Sequence, residues 1–169
     1  GGGQVNLSRA TQITELNTGN LEWRAVDVLA TGEGSRIEFH ALASFTDLYG
    51  TTTSGHGLYS SLTASAGGTV DAPQLARLQG VNLVLDGTGT IPVGQITHFT
   101  QGRLVLSGTN SVFTSLVDLS DSEVQVTGVT PQMASVTRIN GADLRVLGGP
   151  AVQLAPGDQL TIIPAIAGG

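Results

Sequence analysis

Aliphatic residues recur along this chain at a nearly constant spacing. The clearest series is Leu62, Leu83, Leu104, Val124 and Leu144, in which successive members lie 21, 21, 20 and 20 residues apart. Each residue begins a short run in which apolar residues recur at every second position, and a glycine closely follows most of these runs. Alternation with a period of two predicts β-strands. A repeat of about 20 residues predicts a solenoid in which each repeat forms one coil.

Further apolar columns run in phase with the first. They comprise Leu75, Ile96, Leu116 and Val136, then Leu78, Phe99, Leu119 and Ile139 beside them, and a shorter column of Ile91 and Val112. A 20-residue unit cannot bury a core alone, so stacked units must share one. We therefore predict an all-β fold, a right-handed parallel β-helix (β-solenoid) of about seven coils in a single domain, residues 1–169. With ~4.8 Å between coils, it would be roughly 30–35 Å long.

The repeat is longer near the N-terminus. Val5, Ile37 and Val70 occupy equivalent positions but lie 32 and 33 residues apart, which is one repeat of 21 plus 11 or 12 residues. The extra residues follow the same repeat position in both cases. This predicts two loop insertions, at about 18–28 and 47–60, that emerge on one face of the solenoid.

Between these two insertions, residues 29–45 align with 62–78 without a gap. The alignment places Leu29 beside Leu62 in the inner column. A leucine-rich repeat is the competing architecture, because the leucines from Leu75 to Leu85 are spaced partly like its consensus. The Asn/Cys position of that consensus is missing and no helical stretch completes the unit, so the parallel β-helix is preferred.

Composition narrows the classes of partner. The chain has 13 acidic residues, 7 basic residues (all Arg) and a net charge of −6, which argues against a nucleic-acid partner. It has no cysteine, which excludes disulfides and cysteine metal sites. The sequence contains no run of 18 apolar residues, so it predicts no transmembrane helix. We expect no metal and no cofactor, and the glycine-rich ends suggest a segment of a longer repeat protein or fibre.

Three phrases carry a family resemblance: 67–73 (Gly-Gly-Thr-Val-Asp-Ala-Pro), 81–90 (Val-Asn-Leu-Val-Leu-Asp-Gly-Thr-Gly-Thr) and 95–97 (Gln-Ile-Thr). In these the chain resembles the Gly/Thr-rich repeat regions of very large bacterial extracellular surface proteins, of the kind found in planctomycetes. The resemblance implies a β-solenoid in an extracellular or cell-surface setting, as a scaffold or adhesin. It carries over no functional residue.

The aromatic residues Trp23, Tyr49 and Tyr59 lie in or beside the two insertions. Aromatic side chains on loops can stack on sugar rings, so these three are the candidate glycan-binding residues. The alternative is that they only cover the edge of the core where a coil is interrupted.

Two charged groupings are weaker candidates. Arg77, His98, Asp118 and Arg138 lie at equivalent positions of successive repeats. They could form a ligand-binding patch or acid–base pair, or an exposed ladder of unlike charges. A calcium site could include Asp118, Asp121 and Glu123, but their spacing matches no known calcium loop, and a salt bridge between Arg103 and Glu123 is the alternative.

These observations lead to a non-enzymatic, structural function. We expect a unit of a stalk, adhesin or filament that associates with itself through its terminal coils or neighbouring repeats. The first alternative is a carbohydrate-binding module that uses the insertion face. The second is a polysaccharide lyase or hydrolase built on a β-helix, which would need two close carboxylates across a cleft.

Overall fold

The computed structural model of the protein describes residues 2–16, 18, 24–49 and 59–147, the last five as backbone alone. Within these ranges the chain forms thirteen β-strands and no helix. The strands are β1 (Gln4–Asn6), β2 (Gln12–Glu15), β3 (Asp27–Thr31), β4 (Arg36–Glu38), β5 (Ser44–Asp47), β6 (Ser60–Ser65), β7 (Thr69–Asp71), β8 (Arg77–Gln79), β9 (Val81–Leu85), β10 (His98–Thr100), β11 (Arg103–Ser107), β12 (Glu123–Thr127) and β13 (Asp143–Leu147). The described residues therefore contain no helix that could cross a membrane, and none of the helical segments that a leucine-rich repeat can contain.

The strands form three sheets, and every pairing is parallel. Sheet A has the order β1-β4-β7, sheet B has β10-β8-β5-β2, and sheet C has β13-β12-β11-β9-β6-β3. The first nine strands visit sheets A, B and C in strict rotation. Parallel neighbours separated by a full circuit of the other two sheets are compatible with a β-helix or solenoid.

The inner columns follow the predicted register. Leu62, Leu83, Leu104, Val124 and Leu144 are direct neighbours across sheet C. In sheet B, Phe45, Leu78 and Phe99 are neighbours, and all three are buried. The inward-facing apolar side chains of the strands thus fill one shared core.

Two residues of the predicted columns are placed wrongly. Val28, not Leu29, pairs with Leu62, and Leu29 faces solvent. The turn before β4 has one residue more than the equivalent turn before β7, so the gap-free alignment shifts β3 by one position. A one-residue shift reverses which side chains face the core. Val112 is likewise exposed, whereas its neighbour Phe113 is buried.

The corner between sheets B and C is a repeated backbone feature. Gly80, Gln101, Asp121 and Gly141 stand there in successive repeats with φ values of 67°, 54°, 57° and 70°. This left-handed conformation turns the chain from one sheet into the next. The residues that occupy this place earlier in the chain are Glu15 and Asp47, which are register partners at the ends of β2 and β5. The chain segments that contain the expected insertions leave from this corner, and β3 already begins at Asp27.

Candidate functional sites

A buried carboxylate connects the two described segments that flank the undescribed part of the predicted second insertion. Asp47 has no exposed surface, and its Oδ2 accepts hydrogen bonds from the Ser60 N–H (3.0 Å) and the Ser60 hydroxyl (2.7 Å). Its Oδ1 accepts one from the Tyr49 N–H (2.9 Å). The Ser60 hydroxyl oxygen in turn accepts the Val26 N–H (2.9 Å), just before β3. The same polar network therefore holds both ends of this loop and the end of the first insertion.

An ion pair connects the described residues on either side of the undescribed part of the predicted first insertion. Glu15, the last residue of β2, pairs with the guanidinium of Arg24, and Arg24 also donates to the Thr18 carbonyl oxygen (2.6 Å). The Glu15 side chain is mostly buried. Each insertion thus leaves its strand at an acidic residue that binds the returning chain.

The structure brings two of the three candidate aromatic residues to the base of the second insertion. Tyr49 follows Asp47 by two residues and is partly buried, whereas Tyr59 precedes Ser60 and is 37% exposed. Because Asp47 and Ser60 are hydrogen-bonded, these tyrosines flank one loop root. Trp23 lies outside the described residues.

The charged column exists as a ladder on the outer face of sheet B. His98 is adjacent to Arg77 and Asp118, and Asp118 is adjacent to Arg138. Arg138 Nη1 lies 3.5 Å from Asp118 Oδ2. Burial raises the pKa of Asp118, but hydrogen bonds from the Ser120 hydroxyl and N–H, together with Arg138, outweigh burial and lower that pKa below its ordinary value. The geometry is that of a charge ladder across neighbouring parallel segments of the chain.

The imidazole of His98 lies beside the Thr97 hydroxyl. Thr97 Oγ1 is 3.0 Å from the Ala76 carbonyl oxygen and 2.9 Å from His98 Nδ1, so the hydroxyl is within donating distance of both atoms. When Nδ1 carries the hydrogen it donates to the Thr97 hydroxyl, and when Nε2 carries it Nδ1 accepts from that hydroxyl. An acid–base pair needs a second titratable group within hydrogen-bond reach of the imidazole.

The candidate calcium ligands are engaged elsewhere. Glu123 Oε2 lies 3.5 Å from Arg103 Nε, and Asp121 occupies the left-handed corner position. Among the described residues, no group of three or more acidic, histidine or cysteine side chains could hold a metal ion. The Asp143 side chain lies outside the description.

The densest charge network was not predicted. On the outer face of sheet A, Arg36 contacts both Glu38 (3.2 Å) and Asp71, and His40 Nε2 lies 3.3 Å from the same Asp71 oxygen. Asn6 donates to Glu38 at 2.8 Å, which extends the network across three neighbouring strands. The alignment of Val5 with Ile37 and Val70 already implied these neighbours, because the residues on either side of an inner position face outward together.

The first strand of each sheet forms a surface that we call the N-terminal edge, made of β1, β2 and β3. No described strand pairs with the outer sides of these three strands. Within one inner column of sheet A, Val5 is 49% exposed, Ile37 is partly buried and Val70 is fully buried. The edge thus combines unpaired backbone groups with uncovered core side chains.

Comparisons with protein-family models, with curated proteins and with solved structures found no match to this chain.

Proposed function

We propose that the protein is a non-enzymatic structural unit, a right-handed β-solenoid of about seven coils with a 20–21-residue repeat. In this proposal it serves an extracellular bacterial surface protein, stalk, adhesin or filament. The rotation of the chain through three parallel sheets supports the coil arrangement. The resemblance of the repeat phrases to bacterial surface proteins supports the setting.

The observation that carries the proposal is the N-terminal edge. Unpaired parallel strands are templates for another strand, and natural proteins commonly blunt such edges with lysine or proline. The chain contains no lysine, and the β1 side chains Gln4, Val5 and Asn6 carry no charge. The half-exposed Val5 side chain also continues an inner column. An added coil would pair these strands and cover Val5, so the unit stacks end to end.

Sedimentation and negative-stain imaging of Val5→Lys against the unaltered protein test this stacking. A lysine at this inward position would be buried without a partner on stacking, so we expect association to weaken at least ~10-fold. Val112→Lys is the matched control, because Val112 is 44% exposed but lies away from the edge. An unaltered protein that remains monomeric at about 1 mM, or equal association of both variants, would contradict the proposal.

A carbohydrate-binding module is the second candidate. The observation that favours it is the exposed Tyr59 ring beside a loop root fixed by Asp47 and Ser60. Glycan-array binding by the unaltered protein, lost in the double variant Trp23→Ala and Tyr59→Ala, is the expected result. Absence of binding to any glycan by the unaltered protein removes this candidate.

A further inference from the structure

Sheet C differs from the other two sheets on its solvent-facing side. At the middle of its first four strands the outward positions form a central column of Leu29, Thr63, Val84 and Val105. The outward positions of the described strands in sheets A and B are all polar, as in Asn6, Glu38 and Asp71 of sheet A or Ser44, Arg77 and His98 of sheet B. Among the described strands, only those of sheet C have aliphatic side chains at outward positions, namely Leu29, Val84 and Val105.

The central column is accessible and bordered by polar side chains. Leu29 is 55% exposed, and the other three members are partly exposed. On one side runs a polar column of Asp27, Ser61, Asn82, Arg103 and Glu123. On the other side lie Thr31 and Ser65, then Ser107 and Thr127. An apolar centre with a polar rim is the usual make-up of a protein interface.

We propose that this face docks on the same face of a second copy, with a two-fold axis parallel to the strands between β6 and β9. Such an isologous contact reverses the strand order and keeps each column opposite itself. Leu29 then meets Val105 of the partner copy, and Thr63 meets Val84. The apolar column is covered along its whole length.

The charged column selects this arrangement. With the axis between β6 and β9, Asp27 of each copy faces Arg103 of the other, and Ser61 faces Asn82. Moving the axis by half a strand spacing, onto β9, would place Asp27 opposite Glu123, which is repulsive. A two-fold axis perpendicular to the strands would place Asp27 opposite Thr31 and form no opposite-charge pair.

The bonding capacity of these groups permits the intermolecular pair. Arg103 directs one N–H at Gln125 (2.8 Å) and lies near Glu123, but its guanidinium has five N–H groups and the side chain is 42% exposed. Asp27 is exposed and accepts one hydrogen bond from the Ser61 hydroxyl (2.7 Å). Both side chains can therefore reach across the contact.

The contact is small for one unit. Four strands at ~4.8 Å and five residues at ~3.3 Å give a footprint of about 320 Å² on each copy, well below the ~800 Å² of a stable complex. Isolated units should therefore associate weakly. Stacked units would present many such faces on one rigid body, so lateral association would strengthen sharply by multivalency.

Sedimentation equilibrium from about 10 μM to about 1 mM tests the contact. We expect Val84→Lys to weaken association at least ~10-fold, and Asp27→Arg to do the same through repulsion of Arg103. Adding Arg103→Asp to Asp27→Arg exchanges the two charges and should restore association to within ~3-fold of the unaltered protein. Circular dichroism spectra of all variants must show the native strand content.

Val5→Lys separates this contact from end-to-end stacking. Val5→Lys should leave intact the lateral association that Val84→Lys removes. If association is lost in Val5→Lys but kept in Val84→Lys, end-to-end stacking is the sole contact and the lateral proposal is overturned. The proposal is also overturned if the unaltered protein is monomeric throughout, or if the charge exchange associates as weakly as Asp27→Arg alone.

Discussion

Replacing the buried carboxylate of Asp47 should destabilise the protein more than any other single aspartate change in the described core. Asp47 is fully buried, and it accepts two hydrogen bonds from Ser60, which is fully buried as well. Asp47→Ala removes the acceptor of the Ser60 N–H and hydroxyl, each at a cost of about 1–3 kcal/mol when a buried donor is left unsatisfied. We therefore expect a loss of about 2–6 kcal/mol, out of the ~5–15 kcal/mol typical of a folded domain.

Urea denaturation followed by circular dichroism measures this loss, and the melting temperature should fall by about 2–4 °C for each kcal/mol. Asp27→Ala is the matched control, because Asp27 is exposed and accepts a hydrogen bond from the Ser61 hydroxyl; its effect should stay within about 1 kcal/mol. Asp47→Asn keeps one acceptor oxygen and should lose less than Asp47→Ala. If Asp47→Ala costs no more than Asp27→Ala, the buried hydrogen bonds between Asp47 and Ser60 do not stabilise the fold as expected.

Three other outcomes are expected. In urea denaturation, Leu83→Ala should lower the free energy of unfolding by about 2–5 kcal/mol, because Leu83 is fully buried, whereas Leu16→Ala should change it by no more than about 0.5 kcal/mol, because Leu16 is 51% exposed. Similar losses in both variants would contradict the shared core. Gly102→Ala should destabilise by at least ~1 kcal/mol, since its Cβ would lie 2.5 Å from the Val81 carbonyl oxygen, whereas Gly3→Ala meets nothing within 4 Å and should be neutral. Hydrogen bonds from the Thr88 N–H and hydroxyl lower the pKa of Asp86, so the stability that its charged form contributes at neutral pH is lost as the pH falls below about 4. Asp86→Asn should flatten the profile of unfolding free energy against pH in that range, and an unchanged slope would count against this role of Asp86.

The register of the sheets could be predicted from the sequence because equivalent apolar residues recur at a constant spacing. Leu62, Leu83 and Leu104 lie at identical points of identical-length units, and backbone pairing between coils follows from that spacing. The same spacing makes Arg77, His98 and Asp118 neighbours, and the structure pairs them in that order. Regular hydrogen bonding between parallel strands leaves little freedom once one column is fixed.

The errors fall where two adjacent residues satisfy the pattern equally well. Val28 and Leu29 are both apolar, and so are Val112 and Phe113, so hydrophobicity cannot say which of each pair faces the core. For Val28 and Leu29 the length of the turn between β3 and β4 decides, and that turn contains Gly32 and Gly34, both with positive φ. A one-residue difference is invisible in an alignment that tolerates no gap.

The buried hydrogen bonds between Asp47 and Ser60 could not be predicted from the sequence, and the reason is a different one. Ser60 is 13 residues away, and its pairing with Val81 in sheet C does not reveal that it contacts Asp47. An aspartate beside a glycine-rich loop is normally interpreted as a solvated turn residue. Only the three-dimensional closeness of the two loop ends shows that the carboxylate is buried, and no periodic signal in the sequence records that closeness.

The acidic clamps at the corner between sheets B and C have a consequence for how this chain can change over generations. Glu15 and Asp47 each bind the returning chain at the loop root, so the length of the loop beyond them is mechanically separate from the strand register. Doubling a flexible loop costs only ~0.6 kcal/mol in closure entropy. Sequence can therefore be gained or lost at this corner while the sheets on either side keep their alignment, which makes it the place where related chains would diverge.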